Sequence, residues 1–303
     1  MQAMKSILVV VDRSPAARDA LAKAAVLARA LQARIELFQC DADRGYALSQ
    51  AYVSTGVEAA RQSCITDSNS YLRSLCEAAR VTDLDVAIEA ECASPLYESV
   101  VRKVQRAHPD LVVKNVAGVP GVFDCTDWQL MRTCPATLML TRGRPWRSPP
   151  KLGAAVDASG AETAGLAQDI LQAGHFLAGS VHGQLEVVYS EAFDLGDEER
   201  ERADRRLYDM VEKELPKGAS DVHVLAGNPE VSLPVFAKQR NYDAMLLGAL
   251  THRPCATAQV GSLTSRLVEA LSCDFILVKP SSYRTSVAPA PAYMRPSEMS
   301  ERL

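Results

Sequence analysis

The chain has 303 residues, 48% of them apolar, 6% aromatic and 23% charged, with a formal net charge of −4. That length accommodates two domains with separate cores, and the slight acidity excludes broad neutralisation of a nucleic-acid backbone. No apolar run reaches membrane-spanning length, and a strand begins a few residues after Met1, so the expected location is cytoplasmic without a targeting segment.

Taken in order, Ser6 to Val11 is an unbroken apolar run ending in Asp12-Arg-Ser14, the pattern of a buried parallel strand. Ser14-Pro15 supplies an N-cap and a first-turn proline for an Ala/Leu-rich helix to about Gln32. Arg34 to Cys40 reads as a strand, Asp41 to Gly56 as a polar loop, and Glu58 to Arg80 as a helix. Asp85 to Ala90 is a third strand, and Ser94-Pro95 opens a helix ending near His108. Leu111 to Val113, a short helix around Thr126 to Arg132, and a strand over Ala136 to Leu140 complete the unit.

The pattern then restarts. Arg142 to Pro150 is a Pro- and Arg-rich connector. After it, Leu152 to Val156 ends in Asp157-Ala-Ser159, matching Asp12-Arg-Ser14 at a period of 145 residues. A helix from about Ala161, a strand over Gln184 to Tyr189, the charged helix Glu198 to Leu215 and a strand over Asp221 to Leu225 follow. Gly227-Asn-Pro229 opens another helix. Cys134 and Cys273 stand at equivalent places before the two last strands. Apolar strands alternating with helices, twice over, predict two parallel-sheet α/β domains. Residues from Lys279 onward, rich in Pro, Ser and Ala, read as a mobile tail.

The eight cysteines are scattered without a Cys-x-x-Cys pair, so they read as reduced thiols behaving as small hydrophobes, and no spacing supports zinc. His223 reads as a packed histidine inside a strand. Asp127 reads as a helix cap and Trp128 as core. The helix from Asp197 carries mixed charge at helical spacing, a solvated face.

The most informative stretch runs from Tyr242 to Pro280. An apolar strand ends on Gly248, a polar loop passes through Thr251, His252 and Arg253, and Gly261-Ser262 opens a helix before a last strand, Phe275 to Val278. A glycine at the strand end and a helix N-terminus form an anion site: unpaired N–H groups meet the ligand and glycine permits close approach. The spacing Gly248-x2-Thr251-x9-Gly261-Ser262 resembles the universal stress protein signature Gly-x2-Gly-x9-Gly-Ser/Thr, with Thr251 in place of the second glycine. The stretch Thr126 to Pro135 and the ending Val278-Lys-Pro-Ser-Ser-Tyr283 resemble the tandem, UspE-like type.

The resemblance implies two tandem five-stranded parallel-sheet domains, Rossmann-like and similar to adenine nucleotide alpha hydrolases. Their expected bounds are 1–146 and 147–285, with a tail over 286–303. It also implies a stress-response binding protein holding ATP, with magnesium, in its second domain. Asp157 and Ser159 would meet the nucleoside, and Gly248, Thr251, Arg253, Gly261, Ser262 and Leu263 would line the phosphate path. The first domain departs: Lys114-Asn115 ends its fourth strand, and Val122-Phe123 stands where Gly-Ser would be. No ATP is expected there, and Val116, Val119, Val122 and Phe123 are expected to pack, with an apolar pocket or an interdomain contact as the alternatives. Single-domain relatives pair through their last strands, so the two halves are expected to form an intramolecular pseudo-dimer, with a further homodimer left open. The alternative is a non-nucleotide member acting through protein partners or an apolar or amphipathic ligand. Catalysis beyond slow ATP hydrolysis is not expected: a Gly-x4-Gly-Lys-Ser/Thr loop and a Gly-x-Ser-x-Gly elbow are both absent.

Overall fold

The computed structural model describes residues 4–51, 56–116, 123–158, 165–191, 196–215, 221–249 and 262–289. The first half runs β1 (Ser6–Val10), α1 (Ala17–Leu31), β2 (Arg34–Cys40), α2 (Ala42–Ser49), α3 (Val57–Ala79), β3 (Val86–Glu91), α4 (Leu96–Ala107), β4 (Leu111–Asn115), α5 (Cys125–Thr133) and β5 (Thr137–Thr141). The second runs β6 (Lys151–Ala155), α6 (Leu166–Ser180), β7 (Gln184–Glu191), α7 (Asp197–Glu214), β8 (Asp221–Ala226), α8 (Pro229–Arg240), β9 (Ala244–Gly248), α9 (Ser262–Ala270) and β10 (Asp274–Val278). All strands within a half are parallel. The two five-stranded sheets fuse into one, ordered β3-β2-β1-β4-β5-β10-β9-β6-β7-β8.

Helices cover both faces. One apolar layer lies between the sheet and α1, α3, α6 and α7, the other between the sheet and α4, α5, α8 and α9. The strands flanking the centre are apolar throughout because both of their faces are covered.

The halves meet along β5 and β10, which run antiparallel with Phe275 opposite Leu140 and Leu277 opposite Leu138. At the head of β10 the buried Asp274 carboxylate accepts from Lys23 of α1 at 2.6 Å, from the Arg142 amide at 2.8 Å and from the Trp146 indole at 2.7 Å. One side chain therefore ties a helix of the first half and the connector to the last strand of the second. The connector is held again by Asp243, which accepts from the Arg147 and Lys151 amides. Asp110 does the same in the first half, accepting from the Lys5 and Ser6 amides.

Several local expectations are corrected. Ser14 does not cap α1. Its amide donates to Asp12 Oδ1 at 2.9 Å, making an Asx turn, and the helix starts later, at Ala17. Residues expected as loop contain α2, begun by Asp41, whose side chain accepts from the Arg44 amide. Gly45 lets α2 lie on the Ala93 backbone, which a Cβ would approach within 2.5 Å. The Ser94-Pro95 start of α4 holds, with Pro95 as the N-cap. Asp124, not Asp127, caps α5. The segment expected to be mobile from Lys279 is docked on the first half as far as the described chain extends. Lys279 and Tyr283 donate to the Arg132 carbonyl, and Gln105 donates to the Val287 carbonyl.

Burial pushes the Asp274 carboxyl up and outweighs the pull of Lys23, so the intact pair adds no net stability of its own, but losing one partner strands the other. Asp274→Ala is expected to destabilise the chain by about 3 kcal/mol in urea unfolding, and Lys23→Met combined with Asp274→Leu to cost clearly less.

Candidate functional site

In each half the chain leaves its first strand in one direction and returns on the other side, so β6 and β9 flank a crevice in the second half, as β1 and β4 do in the first. Ligands of open α/β sheets bind at such a reversal, beyond the carboxyl ends of the strands.

The second crevice is built from three elements. Asp157 follows β6 and is half-buried. Gly248 closes β9, and its carbonyl accepts from the buried Thr264 hydroxyl at 2.8 Å. That bond fixes the first turn of α9, which Ser262 opens and on which Leu263 packs half-buried against the core. Asp157, Gly248 and the start of α9 are thus gathered at one end of the sheet. Ser159, Thr251, Arg253 and Gly261 lie outside the described residues. Two residues missed in the sequence complete the floor. Tyr189 and Glu191 end β7 with their side chains close enough to act on each other. Burial pushes both up, Tyr189 further through Glu191 and Asp157, while Tyr189 and Arg206 of α7 counter the rise at Glu191. Their polarity is hidden in an otherwise apolar strand pattern, which is why periodicity alone passes over them.

The first crevice has the same carboxylate but a different filling. Asn115 takes the place of Gly248, and its Nδ2 donates to Asp12 Oδ2 at 2.9 Å and to Ser14 Oγ at 3.1 Å. Its neighbour Lys114 is buried against Asp127 of α5 at 2.7 Å. Phe123 sits edge-on to Phe275 of the second half at 5.7 Å, an interdomain contact. Val119 and Val122 lie outside the described residues. The protein's own side chains therefore occupy the space that the second half leaves to a glycine.

A further polar cluster lies at the opposite, amino end of the second sheet. Glu186 of β7 accepts from Lys151 at 2.7 Å, from the Tyr242 hydroxyl at 2.8 Å and from Arg240 of α8. Gly153 makes room for the Tyr242 ring, since a Cβ there would come within 2.8 Å of it. Glu186, Asp221 and His223 place metal-ligand atoms within 4.8 Å of one another. Three donors already engage the Glu186 carboxylate, two of them cations, so a metal ion would compete with protein charges, and the cluster reads as structural. His223 Nε2 lies 3.3 Å from Glu186 without hydrogen-bond geometry, and its ring packs edge-on to Phe236.

Burial alone would push the Glu186 carboxyl up, but the bonds from Arg240, Lys151 and Tyr242 bring it down to about 2, from an ordinary 4.5. A lowered folded value means its contribution is complete above pH 4.5 and is lost as pH falls toward 2. Glu186→Gln is expected to cost about 3 kcal/mol at neutral pH and to flatten this acid limb, as read by urea unfolding between pH 7 and pH 3.

A family model described as the universal stress protein family matches residues 4–124 and 151–279. A universal stress protein E of Salmonella typhi is 23% identical over 317 residues, covering 95% of this chain and 98% of that protein. One from Escherichia coli K12 is 22% identical over 310 residues, with the same coverage. Among solved structures, a Pseudomonas aeruginosa UCBPP-PA14 universal stress protein superposes with a TM-score of 0.72 at 20% identity, covering 92% of this chain and 94% of its own. One from Archaeoglobus fulgidus DSM 4304 gives 0.65 at 12% identity, covering 93% and 97%. No helix among the described residues is long and apolar enough to cross a membrane. The chain belongs to the universal stress protein family, carries the family's domain twice in tandem, and has E-type members among its relatives.

Proposed function

We propose that the chain is a stress-response binding and signalling protein that holds ATP, or a related nucleotide, in its second half. The observation that carries this reading is the contrast between the two crevices. Both keep a carboxylate after the first strand, Asp12 and Asp157, yet Asn115 fills the first, whereas β9 ends on Gly248. A strand end without a side chain, facing the first turn of a helix, suits a phosphate.

Asp157 would accept hydrogen bonds from the nucleoside, and the α9 amides from Ser262 onward would meet the phosphates. The Gly248 carbonyl is engaged by Thr264, so its role is to leave space rather than to bind. Magnesium would be held chiefly by the phosphates, in the manner of a cation that keeps most of its water. Action is by binding, with at most slow hydrolysis. The second reading, a non-nucleotide member, draws on Thr251, which is β-branched where the family signature has glycine.

The test is an ATP titration in magnesium by calorimetry, with native mass spectrometry of the fresh protein for a co-purifying nucleotide. Gly248→Asn, which copies the first half's plug into the second, is expected to weaken ATP at least about tenfold with an unchanged melting temperature. Thr251→Gly is expected to strengthen binding. Absence of binding in both wild type and Thr251→Gly would favour the non-nucleotide reading.

A further inference from the structure

The residues that follow the two last strands form a matched pair. Arg142, after β5, donates to the Val268 carbonyl in the last turn of α9. Lys279, after β10, donates at 2.9 Å to the Arg132 carbonyl in the last turn of α5. Each cation crosses the junction and meets the negative end of a helix belonging to the other half. Each also has aromatic company: Arg142 lies 5.1 Å from the Phe123 ring and 5.6 Å from that of Phe275, and Lys279 lies 4.2 Å from that of Tyr283.

The symmetry breaks at the counter-ion. On the Arg142 side a carboxylate stands close by: Asp274, the ion-pair partner of Lys23, also accepts the Arg142 amide, and its charge acts on the guanidinium against the effect of burial. Lys279 is 8% exposed and makes no ion pair among the described residues. Burial without a carboxylate pushes its ammonium down to about 8, with only the Cys134 thiol acting the other way. An ammonium has three donors, and one is used on Arg132.

Beside it, where the connector closes the other side, lies a cleft of about 510 Å³ between the end of α4, the start of β5 and residues 279–285. Among the described residues no aspartate or glutamate lines it, and Arg284 adds a second cation. Asp169 of α6 lies close to the Ser281 amide, which counters the rise that burial causes in its carboxyl. Pro109, Pro135, Pro280 and the Tyr283 ring give flat apolar walls. The carbonyl end of α4 opens near His108, whereas that of α5 is already met by the buried Lys279 ammonium, which makes the Lys279 side the place for an anion.

We propose that this cleft binds a small molecule carrying one carboxylate or phosphate group on a flat apolar body, with Lys279 as its counter-ion. The anion supplies beside Lys279 the negative charge that Asp274 places near Arg142 on the other side. The flat body lies along Tyr283 and the prolines.

The full chain is titrated calorimetrically with benzoate and, separately, with phenyl phosphate. Saturable binding of at least one is expected, and which of the two binds more tightly identifies the anionic group. Lys279→Met is expected to weaken it at least about tenfold. Ser281→Trp, at the exposed rim, should block the cleft without altering the melting temperature, and it decides the matter if the Lys279 variant fails to fold. Gly248→Asn should leave probe binding unchanged, which separates this cleft from the nucleotide crevice. Lack of saturable binding with either probe at millimolar concentration, or affinity unaltered in Ser281→Trp, overturns the proposal.

Discussion

The antiparallel pairing of β5 with β10 is the constraint from which the rest of the structure follows. Both strands are almost wholly buried and apolar, so either half alone would present an unpaired, hydrophobic sheet edge to solvent, the surface most prone to uncontrolled association. Tandem fusion keeps the complementary edge always at hand. The edges that remain, β3 and β8, are only half-buried and carry charge in Glu89, Glu91 and Asp221. Lys103 bridges Glu36 and Glu89 at 2.6 Å each, and Arg106 spans Glu89 and Glu91, so charged side chains crowd the β3 edge and disfavour pairing with another strand.

The two halves agree at one end of their strands and differ at the other. At the amino ends the devices repeat: Asp110 and Asp243 each receive amides at the start of the half's first strand, and Glu36 and Glu186 each stand at the third position of the second strand facing helix cations. These groups hold strands and helices in register. At the carboxyl ends Asn115 and Gly248 diverge, as do Lys114 and Leu247, and with them the room left beyond the strand. Where side chains hold the fold the repeat is kept, and where they would meet a ligand it is not.

Much of the architecture was legible in the sequence, because buried parallel strands are continuous apolar runs and the period from Asp12 to Asp157 exposes the repeat. Helix starts were less so. Ser14-Pro15 has the composition of a cap, yet the Asp12 Asx turn competes for the same residues and wins. The α2 helix was hidden by a polar, glycine-containing composition that makes sense only against the Ala93 backbone. At the candidate site, Asp157, Gly248 and Ser262 follow from motif spacing. Thr264, Tyr189 and Glu191 do not, since their roles arise from partners distant in sequence or on a neighbouring element. The docked C-terminal segment was misjudged for the same reason: its proline- and serine-rich composition says nothing of the Arg132 carbonyl waiting across the junction.

Because the strands of one half run opposite to those of the other, the molecule has no common top. The carboxyl-end crevice of each half shares its side of the molecule with the amino-end floor of its twin. Occupants of the two crevices would therefore sit at opposite poles, too far apart to touch and with no shared wall. The chain that emerges from β10 starts at the pole of the second crevice and immediately grips α5 of the first half. At the opposite pole the chain leaving β5 does the same in reverse, Arg142 gripping α9 of the second half before the connector enters β6, so each crevice lies beside a strand exit that reaches across to its twin.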